Sequence, residues 1–297
     1  MRATWIALMG AACAAMIACT ASSGLGPSDA GSATDTGTSG IAPYDAGAQP
    51  GSDWSCLGQS TAAPGTSPVT VSLTTYNALD QVETSGAVNS GTDLTLVTYT
   101  PVGGLAVAAC DSLDSQCASP VAATTSDDGG VASLSVPDNF AGYFQITGTG
   151  MSAEDVYLGA LPTSGATFAA PAPTFSVIAL SLLATGLGVP SDLDAGAGAL
   201  VFEAYDCADR LAVGVAFQTP GTVIGKNVVE WYADTNQIPV TSLSQTTGRG
   251  MGGVMNVPAG AATVNAVVAS SSHPIGSASV IVRAGDLTTV LFRARLQ

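Results

Sequence analysis

The sequence predicts an all-β protein: two tandem antiparallel β-sandwiches joined by a short helix. Three observations predict it. Apolar and polar residues alternate with period two in segment after segment, the pattern of strands with one buried and one wet face. Gly, Pro, Asp and Asn interrupt those segments at turn-like intervals, in a chain of 297 residues with 35 Gly and 16 Pro. One strand–turn–strand pattern also occurs twice, so the sandwich reads as a repeated unit.

The chain opens with Met1-Arg2, an apolar stretch from Ala3 to Ala18, and then Cys19. A short positive start and an apolar run ending in small residues predict a secretory signal peptide over residues 1–18, too short and wrongly flanked for a membrane span. Met16-Ile17-Ala18-Cys19 resembles the lipobox of bacterial lipoproteins. That resemblance implies lipidation of Cys19 and an exported protein held at a bacterial membrane, the outer membrane or cell surface being the expected address. Residues 19–53 are rich in Ser, Gly, Ala, Thr and Asp and repeat Asp-Ala-Gly. Such a composition buries too little apolar surface to order itself, so a flexible tether is expected, spanning roughly 30 Å on average.

From Trp54 the texture changes. Val69, Val71 and Leu73 alternate with Thr70, Ser72 and Thr74; Leu94/Leu96, Leu105/Val107 and Ala132/Leu134/Val136 follow. These place a first sandwich in residues 54–175. Ser176 to Thr185 lacks alternation, carries Val177, Ile178, Leu180, Leu182 and Leu183, and runs into Gly186 and Gly188. It predicts a short helix with Ser176 as N-cap and a glycine stop. Residues 176–297 hold that helix and a second sandwich, with alternation at Val213/Val215/Phe217, Ala262/Val264/Ala266/Val268, Ala278/Val280/Val282 and Val290/Phe292/Ala294.

Charge divides the chain. Between Ala3 and Asp209 there are 19 acidic residues and no Lys or Arg; from Arg210 onward six basic residues face three acidic ones. Nucleic acid is excluded as a partner, because phosphate neutralisation needs Lys/Arg clusters. Of six cysteines, Cys13 lies in the signal and Cys19 takes the lipid, leaving Cys56, Cys110, Cys117 and Cys207. An even set in an exported protein predicts two disulfides. Three connectivities are open. The short Cys110–Cys117 spacing favours a local bridge, which leaves Cys56 with Cys207. Zinc is disfavoured, since the spacings are wrong and His273 is the only histidine. No cofactor is expected.

The internal repeat aligns Thr125-Ser126-Asp127-Asp128-Gly129 with Thr246-Thr247-Gly248-Arg249-Gly250, and Val136-Pro137 with Val257-Pro258. Upstream, Pro101 to Val107 parallels Leu211 to Phe217. Gly129 and Gly250 are expected at φ > 0. The second copy carries an insert, roughly 219–239, with Trp231 and Tyr232. These motifs resemble the carboxypeptidase regulatory-like (transthyretin-like, prealbumin-like) β-sandwich, with Gly104/Val107 and Thr125–Pro137 matching in copy one, and Gly214/Phe217 and Thr246–Pro258 in copy two. The whole chain is also similar to uncharacterised lipoproteins of myxobacterium-like bacteria, through Trp54-Ser55-Cys56-Leu57-Gly58 and Tyr205-Asp206-Cys207. The resemblance implies a fold and no chemistry, since such sandwiches are accessory modules.

Several motifs point elsewhere. Gly248-Arg249-Gly250-Met251-Gly252-Gly253 has dinucleotide-site spacing, but a strand is expected after it rather than a helix. Asp192, Asp194 and Glu203 fall at calcium-loop positions, with Gly196 and Ala197 where a ligand and a glycine are required. Ser270-Ser271-Ser272-His273-Pro274 is a turn, and Asp127-Asp128 are turn formers. Trp231 and Tyr232 either close a sandwich edge or are candidate ligand contacts. The expectation is a non-catalytic, lipid-anchored envelope protein with a structural or adhesive role; the alternative is a carbohydrate- or peptide-binding module using the insert. Its partners would be the membrane, through the anchor, and an envelope polysaccharide or protein.

Overall fold

Strand β1 (Val69–Ser85) organises the first half of the computed structural model, which describes residues 51–58, 67–85, 95–138, 140–159, 161, 167–189, 193, 196–220, 227–235, 238–248 and 250–294. The alternation of Val69, Val71 and Leu73 puts all three in the core, while Thr70 and Thr74 stay wet. On one side β1 pairs antiparallel with β2 (Thr95–Pro101) and β5 (Val131–Val136); on the other it pairs parallel with β8 (Thr167–Thr174). Facing this sheet is a second one, in which β3 (Ala106–Asp111) pairs with β4 (Ala122–Thr125) and β6 (Gly142–Thr147), and β6 pairs with β7 (Glu154–Tyr157). Leu73, Leu134, Phe144, Ile146 and Phe168 meet between the two sheets.

The second half repeats these pairings. Strand β9 (Ala197–Tyr205) takes the place of β1, flanked by antiparallel β13 (Met251–Pro258) and parallel β16 (Leu287–Arg293). Its facing sheet is β10 (Val215–Gln218), β14 (Gly260–Val268) and β15 (His273–Val282). Phe202, Phe217, Val264, Val280 and Phe292 fill the core between them. The insert contributes β11 (Val229–Ala233) and β12 (Pro239–Val240), which extend the β13 edge.

The halves join edge to edge. Strand β16 runs parallel to β9 on one side and to β7 on the other, so one nine-stranded sheet reads β12-β11-β13-β9-β16-β7-β6-β3-β4. The all-β expectation holds, and one detail is corrected: Val290/Phe292 belong to a strand parallel to both neighbours, not to a half-buried antiparallel one. Both β9 and β16 are buried along their whole length, because the joined sheet is covered on both faces. Leu200, Phe202, Val290 and Phe292 pack on the β10-β14-β15 side; Ala199, Val201 and Leu287 pack on the side of the helix.

That helix, α1 (Val177–Gly186), starts where Ser176 accepts the Ala179 N–H at 3.1 Å. Its end differs slightly from expectation. Gly186 is the last helical residue, and Gly188 makes the stop, with the Gly188 N–H donating to Thr185 O and the Val189 N–H to Ala184 O, a Schellman pattern. Ala179, Leu180, Leu183 and Ala184 seat α1 on the sheet beside Trp231 and Met255.

The repeat is real but its register shifts. Gly104 N–H donates to Ser126 O, Ser126 N–H to Leu105 O, and Gly130 N–H to Asp127 O; Gly214, Thr246 and Gly250 make the same bonds to Thr246, Val215 and Thr247. The Ser126 and Thr246 hydroxyls likewise accept from Leu105 N–H and Val215 N–H and donate to Val102 O and Ala212 O. Ser126, not Thr125, therefore matches Thr246. The slip comes from β13, which holds a bulge between Val254 and Val257, with Asn256 at φ 64°, while β5 pairs without one. The Val-Pro anchor beyond the bulge is one residue out. Positive φ accordingly falls at Gly130 (75°) and Gly250 (60°), and Gly129 is corrected to an ordinary conformation.

Candidate functional site

The joint collects buried acids from both halves. Glu154 on β7 and Glu203 on β9 are 1 % and 2 % exposed. Each lies on a strand with an apolar run, Val156-Tyr157-Leu158 beyond Asp155 and Ala199 to Phe202, so the strand's burial carries the carboxyl inside with it. Glu154 Oε1 accepts the Thr289 hydroxyl of β16 at 2.6 Å, a bond from the first half to the second. Its Oε2 is buried with no hydrogen-bond partner among the described residues. Glu203 accepts from the Tyr76 hydroxyl of β1 at 3.1 Å and from the Tyr205 hydroxyl at 2.7 Å. Tyr76 thus crosses the same joint in the opposite sense.

Burial, above all, raises the Glu154 carboxyl to about 8, against the Thr289 bond and with help from the Glu203 charge. Glu203 is also pushed up by burial, opposed by its two tyrosine bonds and by Arg293. Arg293 lies 4.8 Å from the Phe168 ring centre and 4.6 Å from that of Tyr205, and pairs with Asp209 at 3.0 Å. The Glu154 carboxyl, with no cation bonded to it, is held protonated at neutral pH, as a hydrogen-bond donor or acceptor rather than a charge.

The other face of the joint is charged and paired. Asp155 is enclosed and forms an ion pair with Arg283, which follows β15. Arg283 also donates to the Tyr143 hydroxyl at 2.8 Å and to Ser115 O at 2.7 Å, and stacks 5.1 Å above the Tyr143 ring. The Ile281 N–H of β15 donates to the Tyr157 hydroxyl of β7 at 3.1 Å. Burial raises that hydroxyl to about 12, so it stays protonated. What the joint does chemically is hold two halves in one register with groups drawn from both.

The residues singled out in the sequence fall as follows. Both disulfides form as expected, Cys110–Cys117 and Cys56–Cys207. Cys19, Asp192 and Asp194 lie outside the described residues, as do 221–226 and 236–237 of the insert. Glu203 is committed to two tyrosines. Trp231 and Tyr232 are 1 % and 5 % exposed, so the ligand-contact expectation is corrected: neither ring faces solvent. Instead they pair across strands with Gly253 and Gly252. A Cβ on Gly253 would sit 2.7 Å from the Trp231 ring and one on Gly252 2.9 Å from the Tyr232 ring, so the Gly-rich motif is the bed for two aromatics. The Tyr232 hydroxyl accepts the Phe217 N–H at 3.0 Å, closing the β10 edge. The same motif enters strand β13, as a nucleotide site would not. His273 begins β15 opposite Val268. Among the described residues no group of three or more His, Cys, Asp or Glu is arranged for a metal, and no helix is long and apolar enough to cross a membrane.

Sequence reasoning missed Glu154 and Asp155 altogether. The available signal was an acid pair leading directly into Val156-Tyr157-Leu158; a lone acid inside the run Ala197 to Tyr205 was the matching signal for Glu203.

No family model matches the chain, and no curated protein matches it. Solved structures are similar at low level. The Bacillus anthracis TIE protein is 13 % identical over 76 % of this chain, with a TM-score of 0.24, and this chain spans 34 % of that one. The shaft pilin SpaA of Lactobacillus rhamnosus GG is 14 % identical over 77 % of this chain and 97 % of its own, with a TM-score of 0.22. The minor pilin GBS52 of Streptococcus agalactiae is 12 % identical over 75 % and 94 %, with a TM-score of 0.23. At these values the likeness carries no argument about function.

Proposed function

We propose that this chain is a non-catalytic, lipid-anchored protein of the bacterial envelope with a structural or adhesive role, its two sandwiches comprising residues 54–175 and 176–297. The observation that supports it most is the fusion of both repeats and the N-terminal lead-in into one body. The nine-stranded sheet joins the repeats, and Cys56–Cys207 staples residues 51–58 to the second one. Around that staple, Asp206 accepts from the Asp53 N–H at 3.0 Å, and Ser52 accepts from the Val213 N–H at 2.8 Å. Two disulfides suit an oxidising, exported setting. A body so built carries both repeats as one unit beyond the expected tether; the partner is an envelope polysaccharide or another envelope protein.

Metabolic labelling with palmitate tests the anchor. The full-length protein incorporates label and Cys19→Ala does not. Label retained in Cys19→Ala, or moved to Cys13, overturns the reading. Protease treatment of intact cells then separates the surface from the periplasm.

A further inference from the structure

We propose that the joint between the two repeats is a proton-gated lock, closed while the enclosed Glu154 carboxyl carries its proton and loosened when it ionises. The argument starts from geometry. Glu154 sits on the first repeat and bonds Thr289 of the second, while Glu203 sits on the second and is bonded by Tyr76 of the first. Glu154 is therefore part of the contact that parallel pairing of β7 with β16 makes, and Glu203 stands opposite Leu291 on the other side of β16. The second oxygen of Glu154 is buried without a donor, which a neutral carboxyl tolerates and a carboxylate does not.

The groups facing the pair offer little compensation for charge. From β9 come Glu203 itself and Tyr205; from β1, Tyr76; from β16, Thr289 and Arg293. Arg293 acts on Glu203 and divides itself between two aromatic rings and Asp209. Helix α1 and strand β8 carry no titratable side chain. Asp155 and Arg283, beneath the sheet, neutralise one another. An ionised Glu154 would add its charge to that of Glu203, and among the described residues no cation is bonded to it.

The direction of the pH effect follows from the Glu154 carboxyl being raised from 4.5 to about 8. The folded joint binds a proton that the unfolded chain has released, so stability is fullest below pH 4.5 and falls as pH rises through about 8. This is the reverse of ordinary acid denaturation. For an exported protein it makes the joint firm in acid and looser in alkali, while each repeat keeps its own apolar core.

Amide exchange on the full-length protein tests the lock. Wild type and Glu154→Gln are compared at each pH from 5 to 9, which cancels the intrinsic base catalysis of exchange. Residues 154–157 and 287–290 are expected to exchange within a few-fold of one another in the two proteins at pH 5, and at least ~10-fold faster in wild type at pH 9; strand β5 is expected to show no such divergence. A wild-type to variant ratio that stays constant across the range overturns the proposal, as does divergence spread evenly over both cores. A second measurement needs no variant: carbon-13 spectra of labelled glutamate in wild type. They are expected to show a carboxyl titrating near 8, in step with exchange at the joint; every glutamate titrating below 6 overturns it.

Discussion

Strands β1 and β9 do the same topological job and live in different surroundings. Each has antiparallel pairing on one side and a parallel partner on the other, and each meets a glycine turn, where Thr75 N–H donates to Gly130 O and Ala204 N–H to Gly250 O. Yet β1 buries alternate residues over Val69–Thr74, and β9 buries all nine. The difference lies in what covers the second face. The outer side of β1 meets solvent over that stretch, whereas β9 has α1 on one face and the β10-β14-β15 sheet on the other. Duplication thus copied the hydrogen-bonding plan, and burial then rewrote the residues. Thr75 still donates its hydroxyl toward Val102 O at 2.6 Å; its counterpart Ala204 has no hydroxyl to donate.

Three sets of substitutions sharpen this contrast, each read as a shift in the urea midpoint. The largest effect is expected where the strands agree. Phe202→Ala and Leu73→Ala both empty an enclosed site in their own sandwich, at ~3–5 and ~2–5 kcal/mol. If either costs less than ~1 kcal/mol, that repeat lacks an independent core. Next come the glycines. Gly130→Val and Gly250→Val put a β-branched residue at positive φ, with the Gly250 Cβ 2.7 Å from Ala204 O, and each should cost about 1–3 kcal/mol. Gly129→Ala should stay within ~0.5 kcal/mol, and a larger loss there would restore the Thr125 register. The smallest pair contrasts the outer faces. Val201→Ala should cost on the order of 1–3 kcal/mol, while its counterpart Ser72→Ala should stay within ~0.5 kcal/mol. Equal losses at both would mean that β1 is also covered.

The same contrast explains how much was legible. Strands with one wet face announced themselves, as at Val69/Val71/Leu73 and Val264/Ala266/Val268. Strands covered on both faces did not: Ala197 to Tyr205 reads as a continuous apolar run, which is ambiguous between strand and helix. Strand β8 was hidden by Pro171 and Pro173, which sit on a sheet edge where no N–H is needed. The disulfides were legible from spacing and export. The joint was not, because its acids are separated by 49 residues of sequence and only the β16 crossing brings them near each other. The aromatic pair and the glycine motif were each visible, but that one is the resting place of the other emerges only from the β11–β13 register.

The Cys56–Cys207 bridge has a mechanical consequence. It closes a covalent ring of sequence separation 151 that contains the whole first repeat and α1. A pull applied between the N-terminal side and Gln297 passes from Cys56 through sulfur to Cys207 and onward, so residues 57–206 lie off the load path. Under tension the chain from Cys207 onward bears the covalent strain, while the first repeat, α1 and strand β9 lie beside that path. Only reduction of that bond would put the first repeat in series, releasing on the order of 500 Å of additional chain at ~3.3–3.6 Å per residue.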